Sequence, residues 1–123
     1  VTAARRGIVL FAHGSRDARW REPVEAVARR VAQRAPQAAV RCAYLELVQP
    51  DLPAAVAELA TQGVASIRVV PLFLGMGRHV REDLPRLVED LQAAHPGIAF
   101  TLAGAVGEDP SVIDLLAELA LAN

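Results

Sequence analysis

Ile8-Val-Leu-Phe-Ala12 runs directly into His13-Gly-Ser-Arg16, and this junction decides how the chain is read. Five apolar residues without polar alternation describe a strand covered on both faces, as in a parallel sheet. The polar, glycine-containing stretch after it marks the strand's carboxyl end. Three further runs read the same way: Ala39-Val-Arg-Cys-Ala-Tyr-Leu45, Ile67-Arg-Val-Val-Pro-Leu-Phe73 and Ile98-Ala-Phe-Thr-Leu102. Helical stripes lie between and after them. Val24, Val27, Ala28 and Val31 form the first, and Leu52, Val56 and Leu59 the second, which starts at Asp51 and stops at Gly63. Leu84, Leu87, Val88 and Leu91 form the third. Val112, Leu115, Leu116 and Leu119 form the fourth, opened by Asp109-Pro110 as N-cap and first helical residue. A β-α-β-α-β-α-β-α order implies right-handed crossovers. The expected fold is therefore an α/β three-layer sandwich, with a four-stranded parallel sheet and helices on both faces.

Composition bounds what such a domain can do. With 123 residues, 53 % of them apolar, the chain suggests one domain over residues 1–123 with a real core. It has no internal repeat or linker. A net charge of −1 and an aromatic content of 4 % argue against a nucleic-acid binder. One cysteine, Cys42, excludes an internal disulfide framework and a cysteine-rich zinc site, and its mid-strand position reads as a small buried hydrophobe. All 13 basic residues are Arg. The absence of Lys removes the Walker P-loop and Schiff-base enzymes from consideration. No apolar run reaches membrane-spanning length, and Arg5-Arg6 before Ile8 reads as entry into a strand rather than as a signal peptide. A cytoplasmic protein is expected.

Ligands of open α/β sheets bind beyond the carboxyl ends of the strands. His13, Gly14, Ser15 and Arg16 follow the first strand, and Glu46 follows the second. The stretch Leu74-Gly-Met-Gly-Arg-His-Val80, read as a loop, follows the third. Two imidazoles and a carboxylate thus fall at one rim. Such a set suits a divalent transition metal with open positions, or general-base chemistry near neutral pH. Taken singly, each has an ordinary reading: His13 as a strand-end imidazole bonded to backbone, Glu46 as a carboxylate pointing at water. Arg16, Arg19, Arg78 and Arg81 flank the two histidines and offer forks for carboxylates. Ser15 is expected at an anion or cap site of the first helix, and Met76 as a wall for a flat apolar ligand or as core. His95, before Pro96-Gly97, reads as a helix-end residue. Gly75-Met-Gly77 lacks the third glycine of a dinucleotide fingerprint.

Phe-Ala-His13-Gly-Ser-Arg-Asp17, Tyr44-Leu-Glu-Leu47, Val69-Val-Pro-Leu-Phe-Leu-Gly-Met-Gly-Arg-His-Val-Arg-Glu-Asp-Leu-Pro85 and Gly104-Ala-Val-Gly-Glu-Asp-Pro110 resemble the sirohydrochlorin cobaltochelatase and ferrochelatase family over essentially the whole chain. The resemblance implies a flavodoxin-like, chelatase-type domain that inserts a divalent metal into sirohydrochlorin without a nucleotide. It implies cobalt first, with iron or nickel as alternatives. It places His13 and His79 at the metal, with Glu46 as the assisting acid. Ser15, Arg16, Gly75, Met76, Gly77 and Arg78 would line the substrate, a flat macrocycle bearing eight carboxylates. A single copy of the domain implies a homodimer. The alternatives are a non-catalytic metal or tetrapyrrole carrier and, more remotely, a receiver-type signalling domain, for which the acidic cluster after the first strand is missing.

Overall fold

A computed structural model describes residues 5–123, so the start at Val1 lies outside it. Four strands, β1 (Arg6–Ala12), β2 (Ala39–Tyr44), β3 (Ser66–Pro71) and β4 (Ala99–Leu102), form one parallel sheet in the order β2-β1-β3-β4. They alternate with helices α1 (Ala18–Arg34), α2 (Leu52–Thr61), α3 (Arg78–Ala94) and α4 (Pro110–Leu121), the last preceded by a 3-10 turn at Val106–Glu108. The α/β architecture is the one the apolar runs imply. Strand ends differ by one or two residues, with Leu45 and Leu72-Phe73 lying beyond their strands.

The two faces of the sheet are covered unequally. Val9 and Phe11 of β1, Ala39 and Ala43 of β2, and Ile67 and Val69 of β3 share one face with α2 and α3, through Leu52, Val56, Leu59, Leu84, Val88 and Leu91. Val9, Val56, Leu59 and Val69 are fully buried, each stabilising the fold by roughly 1.5–3 kcal/mol. The opposite face carries α1 alone, whose Val24 packs with Ala12 and Tyr44. Arg68, Ala99 and Thr101 on that same face are exposed.

Two of the apolar stripes are only partly buried. Val27 is 42 % exposed, since α1 packs on β1 and β2. Leu115, Leu116 and Leu119 of the fourth stripe are 54 %, 41 % and 65 % exposed, because α4 packs mainly on the 3-10 turn before it. Cys42 is half-buried, with its Sγ 4.0 Å from the Val24 carbonyl. The helix boundaries follow local chemistry. The Asp51 side chain accepts from Ala54 N–H at 2.9 Å, and Asp109 accepts from Ser111 N–H at 2.8 Å. Gly63, just past α2, takes φ +72, which suits glycine. No helix among the described residues is long and apolar enough to cross a membrane.

Candidate metal and substrate site

β1 and β2 keep pairing past their formal ends. Leu45 N–H donates to the Ala12 carbonyl at 2.9 Å, and Glu46 N–H donates to the His13 carbonyl at 3.1 Å. The two side chains that follow are thereby brought together: His13 Nε2 lies 2.9 Å from Glu46 Oε1, both about half exposed. Gly14 makes this closure possible. Its φ is +108, and a Cβ there would sit 1.9 Å from the Glu46 carbonyl oxygen, so any side chain would push the second strand's loop away. In that loop Leu47 also takes a positive φ of 69. An ionised carboxylate only accepts, so Nε2 is the donor in this contact, and in the neutral form of the ring the lone pair then lies on Nδ1.

Phe73 supports the His13 ring edge-on, with centroids 6.4 Å apart, and is itself held against Phe11 at 5.9 Å. Beyond Phe73 the chain passes through Gly75, Met76 and Gly77 into α3. The helix begins at Arg78, so His79 occupies its first turn and not a loop. The reason is that Gly77, extended at ψ 164, serves as N-cap, and Pro85 falls on the exposed side, where the freed Arg81 carbonyl meets solvent.

His13 and His79 line one cavity of about 280 Å³, together with Phe73, Met76, Arg78 and Val80. His79 also lines a neighbouring cavity of about 370 Å³ with Glu46, Leu45, Phe11 and Asp83. Asp83 was not anticipated. It lies four residues after His79, on the same helical face, and was hidden by reading the segment as loop. Among the described residues, no three His, Cys, Asp or Glu side chains stand close enough together to hold a metal ion by themselves.

The remaining expected site residues divide. Ser15 serves the cap: its Oγ accepts from Asp17 N–H at 3.1 Å, and Asp17 accepts from Arg19 N–H at 2.9 Å. Arg16 is exposed beside it. Arg78 pairs with Glu82 at 3.2 Å, one turn along α3. Gly75 and Gly77 have open space where a Cβ would be, so neither is required by packing. His95 caps the end of α3, its N–H donating to the Leu91 carbonyl at 2.9 Å. Burial raises the Cys42 thiol above its usual value and pushes the Tyr44 phenol up to about 12. Both groups stay neutral at pH 7, which leaves the rim's chemistry to imidazole, carboxylate and guanidinium.

The fold and rim define a class: a doubly wound α/β domain with a carboxylate-oriented imidazole and a second imidazole beyond the carboxyl ends of adjacent strands. Residues 7–122 match the CbiX family, and the chain belongs to it. It is 30 % identical over 112 residues to the sirohydrochlorin cobaltochelatase of Sulfurisphaera tokodaii, covering 91 % of this chain and 88 % of that one. The crystal structure of a CbiX protein from Marinobacter aquaeolei VT8 superimposes with a TM-score of 0.79 at 39 % identity, over 94 % of this chain and 93 % of that one. The chloroplastic sirohydrochlorin ferrochelatase of Arabidopsis thaliana is 27 % identical over 110 residues, which are 89 % of this chain and 49 % of its own length.

Proposed function

We propose that this chain is a sirohydrochlorin chelatase, a lyase-class enzyme that inserts a divalent metal into the macrocycle without a nucleotide, working as a cytoplasmic homodimer. The observation that carries the reading is the sharing of one cavity by His13 and His79, with Glu46 bonded to His13. The names of its relatives support the substrate, since both cobalt and iron enzymes of sirohydrochlorin are among them. We take cobalt first, with iron or nickel as alternatives, because imidazole nitrogens accept all three.

In this scheme the metal is a substrate, held by His13 and His79 and passed to the ring. Two protein ligands suit a delivery site: they grip the ion weakly enough for four ring nitrogens to take it. Glu46 fixes the His13 tautomer, so that Nδ1 meets the metal. Entry of one divalent ion releases two pyrrole protons, which Glu46 and solvent accept. Ser15, Arg16, Gly75, Met76, Gly77 and Arg78 form the substrate wall. Met76 offers apolar contact and Arg78 a fork for the carboxylates. The first-turn amides of α3 have no side-chain cap, which suits the same anions.

Metal insertion followed by the change in macrocycle absorbance tests the scheme. His79→Ala and His13→Ala are each expected to slow insertion at least about 100-fold, and Glu46→Gln about 10–100-fold. An unchanged rate in His79→Ala overturns the proposal. So does tetrapyrrole binding by the wild type without faster insertion, the behaviour of a carrier.

A further inference from the structure

We propose that Gly107, in the 3-10 turn after β4, is a positioning residue for His79. It seats the segment that leads into α3 and so sets where the second imidazole stands relative to His13. The inference rests on the metallation reading above and adds a residue to it. Gly107 N–H donates to the Phe73 carbonyl at 2.9 Å. A Cβ on Gly107 would overlap the Leu74 backbone, at its carbonyl oxygen, its Cα and its carbonyl carbon. Turning a side chain does not relieve an overlap with backbone, so any larger residue has to push Leu74 away.

Little else holds that segment. Upstream the chain is fixed by β1: Leu72 N–H donates to the Phe11 carbonyl at 2.7 Å, and the Phe73 ring packs on Phe11. From Phe73 to Met76, the Gly107 bond is the one backbone hydrogen bond to the body of the fold among the described residues. The Leu74 side chain is 70 % exposed and anchors nothing. Gly75 and Gly77 meet open space and set no limit. Downstream, α3 is buried in the core from Leu84 on. In its first turn Val80 is half-buried, while Arg78, His79 and Arg81 are exposed. Pro85 has no N–H to offer the Arg81 carbonyl, which loosens this turn from the rest of the helix. A shift at Leu74 therefore passes to His79, while Phe11 keeps Phe73 and the edge of His13 in place.

The arrangement repeats the one at His13. There Gly14 lies beneath the Glu46 backbone and sets the partner of the first imidazole; here Gly107 lies beneath Leu74 and sets the approach of the second. Gly104, in the same connection, supplies the contrast. A Cβ there meets only the end of the Glu108 side chain, at 3.4 Å.

Co²⁺ titrated into the protein alone, without tetrapyrrole, reads the site apart from turnover. Gly107→Ala is expected to weaken Co²⁺ binding about 10-fold or more, as loss of a residue that orients a ligand does. Gly104→Ala is expected to bind as wild type does. Because the effect runs through His79, adding Gly107→Ala to His79→Ala is expected to change the affinity less than about 2-fold. Equal losses in both backgrounds, an equal loss in Gly104→Ala, or wild-type affinity in Gly107→Ala overturns the positioning role and leaves the metallation reading standing. Wild-type affinity in His79→Ala overturns both. Should Gly107→Ala fail to fold, the wild type answers by linkage, since a brace that favours the metal is favoured by it in return. Co²⁺ is then expected to slow amide exchange over residues 105–109, measured by mass spectrometry, in wild type and not in His79→Ala. Exchange indifferent to Co²⁺ in wild type that binds the ion overturns the inference.

Discussion

The two halves of the sheet are built on different terms. At β2–β1 both faces are covered, the strands go on pairing past their ends, and a glycine lies beneath a neighbouring backbone so that His13 meets Glu46. At β3–β4 one face is covered by α3 and the other is largely open, with α4 packed mainly on the 3-10 turn before it. The first half is covered on both faces and carries part of the proposed site. The second is covered on one side only, and Arg68, Ala99 and Thr101 are exposed on the other. A parallel sheet buried on both faces is the rule for this architecture, and the open half departs from it.

The contrast is most sharply broken through the apolar residues themselves. Leu59→Ala removes a fully buried side chain from the doubly covered half and is expected to cost about 2–5 kcal/mol at any protein concentration. Leu119→Ala removes an equally large side chain from α4, 65 % exposed in the single chain. Its cost is expected below about 0.5 kcal/mol, as for a surface change. Denaturant midpoints measure both. Equal losses would remove the distinction between the halves.

A second pair of substitutions separates glycines that the sequence makes look alike. Gly14→Ala places a methyl group against the Glu46 carbonyl at φ +108 and is expected to cost about 1–3 kcal/mol. It also opens the His13–Glu46 contact, so the insertion rate falls with stability. Gly75→Ala meets open space and is expected to leave the melting temperature within the range of a neutral surface change. Thermal unfolding and initial rates of the two variants check this.

That pair also shows how far the sequence could be read. Strand identity was written in the apolar runs, since burial on both faces leaves no polar alternation, and Asp51 and Asp109 announced their helices by capping chemistry. The rim was legible too, because strand ends are where a parallel sheet exposes side chains. Gly14 could not be told from Gly75, as the difference lies in Glu46, 32 residues further on, folding over one and not the other. His79 was misplaced because Gly75 and Gly77 suggested a loop, although only Gly77 borders the helix, as its cap. Asp83 was lost with it. The stripe of α4 is apolar as its spacing indicates and yet exposed in this chain, because a periodic pattern marks an apolar face without supplying the surface that covers it.

Alkaline stability is the finest probe of the comparison. Tyr44 sits under α1 on the covered half of the open-sided face, and burial holds its phenol near 12, against about 10 in an unfolded chain. Below pH 10 both states keep the proton and the group is silent. Between 10 and 12 the unfolded chain releases a proton that the folded chain retains, so stability falls as pH rises, by about 1 kcal/mol per pH unit. With no Lys, and with one Tyr and one Cys in the sequence, few other groups titrate there. Cys42, also raised by burial, acts in the same direction from a lower starting pH. Urea midpoints of wild type from pH 8 to 11 are expected to decline, and those of Tyr44→Phe/Cys42→Ser to stay much flatter. An equal decline in both would mean that α1 does not seal its half of the face, and that the two halves differ less than their exposures indicate.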